Sequence, residues 1–143
     1  MDFFLNIYNS SEMASKFLLA SLFGSMLFFS VIIAPSVFKV LDEKNARAFL
    51  RLVFPKLYLW GIFFSLFIIF FILQSSLINQ IIAIIILVGF VFSRQVLTIK
   101  INDISDKMKT DKSLIKKFNY LHNTSVAIFL VQLVLLIFLF FSV

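Results

Sequence analysis

Long apolar segments dominate the chain, and each is long enough to cross a bilayer as a helix. The first runs without a charged residue from Phe17 to Phe38, and the last from Leu121 to Val143. Between them, residues 57–93 carry no charge and would form a single helix roughly 55 Å long, nearly twice the ~30 Å hydrocarbon core. The polar group Gln74-Ser75-Ser76 divides this stretch in two. The pattern therefore predicts four transmembrane helices, at about residues 14–35, 53–73, 77–98 and 121–142.

The placement of the basic residues predicts how these helices are oriented. Five Lys and Arg residues lie between positions 39 and 56 and seven between 94 and 117, which together are twelve of the thirteen. Because Lys and Arg are enriched in cytoplasmic loops, we predict that segments 36–52 and 99–120 are cytoplasmic loops and that both termini are non-cytoplasmic. The predicted fold class is an all-α membrane protein, a single domain over residues 1–143 in which the four helices form an up-down bundle.

Composition supports a membrane location and argues against several other classes of protein. The chain is 62% hydrophobic and only 14% charged, with 21 Phe residues, far from the usage of a small soluble domain. Its net charge of +6 lies beside apolar spans, so we expect anionic lipid headgroups rather than nucleic acid as partners. The absence of cysteine excludes disulfides and thiol chemistry. Frequent Phe, Ile, Leu and Lys residues are typical of AT-rich bacterial genomes and favour a bacterial inner membrane.

Several residues are predicted to begin the helices. Asp42 is expected to cap a short amphipathic helix on the membrane surface, and Pro55 to lie in the first turn of the second span, where a missing N–H is tolerated. Thr110 or Asp111 is the expected cap before the fourth span.

Two features predict how the helices pack. Ala20 and Gly24 place small residues four apart on the first span, which favours close helix packing either within the chain or in a homo-oligomer. Gln132 is the one strongly polar residue deep in the fourth span, and we expect it to form a hydrogen bond to another helix.

Polar or helix-bending residues from all four spans are predicted to lie near the cytoplasmic ends. This candidate cluster contains Pro35, Tyr58, Arg94, Asn119, His122 and Ser125. It predicts either an anion or cofactor pocket open to the cytoplasm or an ordinary polar interface. His122, the only histidine, is either a heme ligand or an interfacial polar residue, and Arg94 either binds a ligand or extends to the headgroups. With no second histidine, no cysteine and no acidic residue within a span, we predict no metal site, no cofactor and no catalytic residue.

Three ordered motifs carry a resemblance to a known family. They are Leu19-Ala20-Ser21-Leu22-Phe23-Gly24-Ser25 with Ala34-Pro35-Ser36-Val37-Phe38, then Phe54-Pro55-Lys56-Leu57-Tyr58, and then the F-x-x-L-H-x-x-S sequence of residues 118–125. Over residues 17–140 the chain resembles the transmembrane-protein-205-like family, in bacteria a domain of unknown function. The resemblance implies a four-helix membrane protein without an established activity. We therefore predict a non-enzymatic membrane protein that binds a small ligand or partner at its cytoplasmic face.

A second resemblance supplies the alternative function. In length and loop layout the chain is similar to the small four-helix protoporphyrinogen oxidase of bacteria, which implies a heme- or redox-linked membrane enzyme. That family is expected to bind heme through a histidine in its first span, and this chain has none there.

Overall fold

Four long helices form the molecule. The computed structural model describes the backbone of residues 2–108 and 110–143 and the side chains of residues 10–108 and 110–143. Helix α1 comprises Asp2–Phe28, a π-helical turn at Phe29–Ile33, and Ala34–Val40; helix α2 is Glu43–Phe71. Helix α3 comprises Leu77–Phe92, a second π-helical turn at Ser93–Leu97, and Thr98–Lys107; helix α4 opens with a 3₁₀ turn at Lys112–Leu114 and continues as Ile115–Ser142.

These helices confirm the predicted fold class. The described residues contain no strand, and all four helices are long and apolar enough to cross a membrane. Large apolar side chains remain exposed along their length, among them Phe17 at 72% and Phe141 at 81%. Lipid is the solvent that accepts such a surface. The chain is therefore a multi-pass, all-helical membrane protein.

Side-chain caps begin three of the helices, two of them at the predicted residues Asp42 and Asp111. The Asp42 carboxylate accepts a hydrogen bond from the Asn45 N–H at 2.7 Å at the start of α2, and Ser76 ends the Gln74–Ser76 turn by capping α3. Asp111 caps the first turn of α4, where its carboxylate accepts from the Ser113 N–H at 2.9 Å. The Ser113 hydroxyl and backbone N–H lower the pKa of this carboxyl because both stabilise its charged form.

The two segments predicted to be basic cytoplasmic loops are largely helical, and the positions at which the chain leaves the bilayer stay a prediction. Helices occupy all of 36–52 except Leu41 and Asp42, and the helical structure of α3 continues to Lys107. Pairs of opposite charge four residues apart, Glu43 with Arg47 and Asp103 with Lys107, stabilise these extensions. Hydropathy locates where the chain leaves the bilayer, whereas capping and charge pairing determine where a helix ends.

Pro55 does not lie in the first turn of a span, and no separate surface helix precedes it. Asp42 caps α2 itself, which continues through Pro55 to Phe71. A proline inside a helix removes one N–H donor, here the one that the Arg51 carbonyl would accept. Pro35 is accommodated differently, because the wide π-helical turn of α1 ends just before it with a hydrogen bond from the Ala34 N–H to the Phe29 carbonyl.

The core lies along the axis of the bundle and brings α2 and α3 into close contact. Its buried side chains come from all four helices: Leu19, Leu22 and Met26; Tyr58, Phe64, Ile68 and Ile72; Ala83, Ile86 and Phe90; and Leu136 and Leu139. At Gly61 the ring of Phe90 approaches so closely that an added Cβ would lie 2.5 Å from two of its carbon atoms. Only glycine permits this approach.

Gln132 makes the interhelical hydrogen bond that its position predicts. Its Nε2 donates to the Ile86 carbonyl on α3 at 3.1 Å, and the side chain is buried. Gly89 leaves room for it, since a Cβ there would lie 2.8 Å from Nε2. Its Oε1 is buried without a partner among the described residues.

The small-residue face of α1 does not pack inside the chain. Ala20 and Gly24 are both exposed, and a Cβ added at Gly24 would meet no atom within 4 Å. The prediction of internal packing was therefore wrong at these positions, while the homo-oligomer seam stays a prediction.

Candidate functional site

Two of the six predicted residues contact each other near one end of the bundle. We call this end, which carries Asp42 and Asp111, the inner end, and the opposite end, which carries Gln74–Ser76, the outer end. The Tyr58 hydroxyl of α2 lies 3.4 Å from the Ser125 hydroxyl of α4, and Tyr58 is 3% exposed. The Tyr58 ring stacks on Phe54 on its own helix and contacts the Phe90 ring of α3, so aromatic packing holds the hydroxyl in position.

Arg94 lies at the same level of the bundle. The π-helical turn Ser93–Leu97 that carries it contacts both α2 and α4. The neighbouring contacts agree with this register: Gly61 faces Phe90, and Tyr58 and Arg94 each lie about one turn closer to the inner end. The Arg94 side chain is half-buried, and its Nε is buried without a hydrogen-bond partner among the described residues. A buried N–H without an acceptor is uncommon in a folded protein and requires a reason.

Local backbone structure explains how Arg94 reaches this position. The Ser93 carbonyl accepts hydrogen bonds from the Thr98 N–H and from the Thr98 hydroxyl, the latter at 2.8 Å. These bonds span five residues instead of four, which widens the turn and changes the direction in which its side chains project. No sequence pattern predicted this turn. Isolated π-helical turns are frequent at functional sites.

Three members of the candidate cluster lie on the surface instead. Pro35, Asn119 and His122 are exposed, and the His122 ring stacks in parallel on the Phe118 ring of its own helix, with centroids 6.0 Å apart. The structure thus brings together Tyr58 and Ser125, with the Arg94 turn packed against both of their helices. A functional role for the three exposed residues stays a prediction.

An ion pair joins the inner ends of α2 and α3. Arg51 donates to both carboxylate oxygens of Asp106, at 2.9 and 2.8 Å, and to the Asn102 carbonyl at 3.3 Å. A groove of about 570 Å³ beside Arg51 has a mixed charged lining: Asp42, Glu43, Lys44, Arg47, Ala48 and Arg51. The partnership with anionic headgroups that the two basic segments predict stays a prediction.

A polar network that the sequence did not predict lies at the outer end. Asn79, 4% exposed, donates from Nδ2 to the Ser75 hydroxyl at 2.8 Å and to the Ser142 carbonyl at 3.0 Å. The Ser142 hydroxyl donates back to Asn79 Oδ1 at 2.9 Å. Beside this network is a cavity of about 170 Å³ lined by Ser11, Glu12, Phe71, Ile72, Gln74, Ser75, Ser76, Asn79, Ser142 and Val143. The network joins residues that are distant in sequence, so their spacing along the chain could not predict it.

Comparison with known proteins identifies the family but no activity. No curated protein and no solved structure matches the chain. A family model described as a domain of unknown function, DUF4149, matches residues 17–110, about two-thirds of the chain. The match includes Tyr58 and Arg94 and ends before Ser125. The chain belongs to the DUF4149 family, whose members share a domain of unknown function.

Proposed function

We propose that this membrane protein binds a small anionic ligand, or an anionic group of a partner, near the end of the bundle predicted to be cytoplasmic, and that it is not an enzyme. The observation that carries the proposal is the buried Arg94 Nε without a partner, on a turn level with the Tyr58–Ser125 pair. An anion would supply the missing acceptor.

The three side chains offer complementary donors. A guanidinium forms strong, charge-assisted hydrogen bonds with phosphate or carboxylate, and the hydroxyl that does not donate within the Tyr58–Ser125 pair can donate to a further oxygen. Ser125 is also the last residue of the F-x-x-L-H-x-x-S motif, which lies beyond the matched residues 17–110. This motif supports our finer proposal that the chain is related to the transmembrane-protein-205-like family. The frequent Phe, Ile, Leu and Lys residues support a location in a bacterial inner membrane.

Binding of inorganic phosphate to the detergent-purified protein tests the proposal. We expect Arg94→Gln to weaken binding by about tenfold, because it removes a charge-assisted bond, and Tyr58→Phe to weaken it less while keeping the ring packing. Lys100→Gln, which removes an exposed positive charge from the same helix, is the matched control. Equal phosphate affinity in the wild type and Arg94→Gln would refute the site. Native mass spectrometry of the same samples identifies any ligand that co-purifies.

We also propose that a second copy of the chain packs on the exposed face of α1 at Ala20 and Gly24. The open space at Gly24 supports this, since helices in lipid associate where small residues allow close backbone approach. Chemical cross-linking in detergent should show a dimer that Gly24→Leu disrupts. Ala127→Leu, at an exposed small residue of α4, should leave the dimer intact. A dimer that persists in Gly24→Leu would rule out this seam.

A further inference from the structure

The outer cavity has the charge of a cation site. Among the described residues that line it, Glu12 is the one charged residue and none is Lys or Arg. The C-terminal ends of α2 and α4 open onto it, at Phe71 and Ser142, and a helix C-terminus carries partial negative charge. The N-terminus of α3 at Ser76 also faces the cavity and carries the opposite partial charge, so the net negative charge of the site comes from the Glu12 carboxylate.

The lining of the cavity offers acceptors to a ligand that donates, beside the Gln74 amide and the Ser11, Ser75 and Ser76 hydroxyls, which can donate as well. The Asn79 Nδ2 and the Ser142 hydroxyl are already used within the network, and Gln80 Nε2 donates to the Leu73 and Ser75 carbonyls, each at 3.0 Å. Acceptors remain, because a carboxylate and each hydroxyl oxygen accept more than one hydrogen bond. The cavity therefore suits a group that carries N–H donors and positive charge.

A cation already in the protein shows that Glu12 holds such a group. The Lys16 ammonium, one helical turn along α1, lies 2.6 Å from Glu12 Oε1. Both side chains are about one-third exposed, so the pair is open to competition by a cation that enters the cavity.

The size and lining of the cavity favour an organic ammonium group over a metal ion. A cavity of about 170 Å³ is larger than a single desolvated ion needs. Phe71 and Ile72 give it an apolar side that suits methylene groups. Among the described residues, no three His, Cys, Asp or Glu side chains gather as metal ligands.

We infer that the outer cavity binds a primary ammonium group, with the Glu12 carboxylate as its counter-ion and in competition with Lys16. Two sources share this chemistry: a free alkylamine, and the headgroup of phosphatidylethanolamine at the membrane surface. The inference is independent of the anion site proposed at the inner end.

Thermal unfolding distinguishes the two sources. In detergent, ethylammonium chloride should raise the unfolding temperature, whereas tetramethylammonium chloride, which has the charge but no N–H, should not. In nanodiscs, phosphatidylethanolamine should stabilise the protein relative to phosphatidylcholine, whose headgroup is fully methylated, if the lipid is the ligand. A response only to the free amine assigns the site to soluble ligands. No preference for N–H-bearing cations in either arm would overturn the inference.

Variants of the Glu12–Lys16 ion pair test whether Lys16 competes with the ligand, because they should change ethylammonium affinity in opposite directions. Glu12→Gln should weaken ethylammonium binding by about tenfold, because a charge-assisted bond is lost. Lys16→Ala should strengthen binding severalfold, because it removes the internal competitor; a purely structural role for this pair predicts the opposite. Glu43→Gln, which breaks the equivalent pair with Arg47 at the inner end, is the matched control and should leave binding unchanged. Weaker or unchanged binding in Lys16→Ala would refute the site even if Glu12→Gln does not fold.

Discussion

Replacing Gly61 with alanine tests whether α2 and α3 are as close as the structure shows. The added Cβ would lie 2.5 Å from two carbon atoms of the Phe90 ring and 2.7 Å from a third. Non-bonded carbon atoms prefer separations of about 3.5–4.0 Å, so the ring or the helix must move by about 1 Å. Phe90 is 0% exposed and has no open side to move into. Overpacking of this kind costs about 1–3 kcal/mol, which is the loss of stability that we expect.

Unfolding in mixed micelles with increasing sodium dodecyl sulfate measures this loss, and the two other glycines are internal controls. Gly24→Ala should leave stability almost unchanged, because its Cβ meets no atom within 4 Å. Gly89→Ala should have an intermediate effect, because its nearest contact is the flexible end of the Gln132 side chain. Phe90→Leu combined with Gly61→Ala should recover part of the loss, since a smaller side chain relieves the clash. The reasoning fails if Gly61→Ala is as stable as Gly24→Ala.

Three further predictions concern the spans and the alternative function. Gln132→Leu should reduce stability by no more than ~1 kcal/mol in the same unfolding assay. The lost hydrogen bond to the Ile86 carbonyl is partly offset, because the substitution also removes the buried Oε1, which has no partner among the described residues. A larger loss would indicate that Oε1 does have a partner. The chain has no native cysteine, so single introduced cysteines report the orientation. A cysteine in place of Ser75 should react with a membrane-impermeant maleimide from outside the cell, whereas one in place of Lys112 should react only after permeabilisation. The reverse pattern would overturn the predicted orientation. After incubation with heme and removal of the unbound heme, the purified protein should show no Soret band, because His122 is the only histidine and is exposed. A Soret band that is retained by the wild type and lost in His122→Ala would restore the heme-linked enzyme.

The sequence predicts the number of helices well because membrane insertion depends on a simple one-dimensional property. Apolar length and the polar break at Gln74–Ser76 are sufficient to count the spans, and the caps at Asp42 and Asp111 follow from local chemistry. Helix ends are less predictable. A charged helix extends into water as readily as it stops at the membrane, so apolar length alone does not show that residues 36–52 are largely helical.

The candidate site was only partly predictable, because the positions of polar residues in the sequence do not show which side of each helix faces the other helices. Tyr58 and Ser125 face each other across the bundle, whereas His122, three residues from Ser125, faces outward. Two further features position Tyr58 and Arg94: the close approach at Gly61 and the π-helical turn at Ser93–Leu97. Neither leaves a sequence pattern that can be recognised in one chain, and the Asn79 network depends on contacts between distant segments.

The two π-helical turns also affect how related sequences should be aligned. Each turn spreads five residues over a segment where an α-helix would use four, which amounts to a one-residue insertion that the helix absorbs without breaking. A homologue that lacks one residue within 93–97 would restore a regular helix while keeping both flanking segments in register with their neighbours. Single-residue gaps in alignments of this family are therefore expected inside the helices at these turns, and they need not mark a different fold.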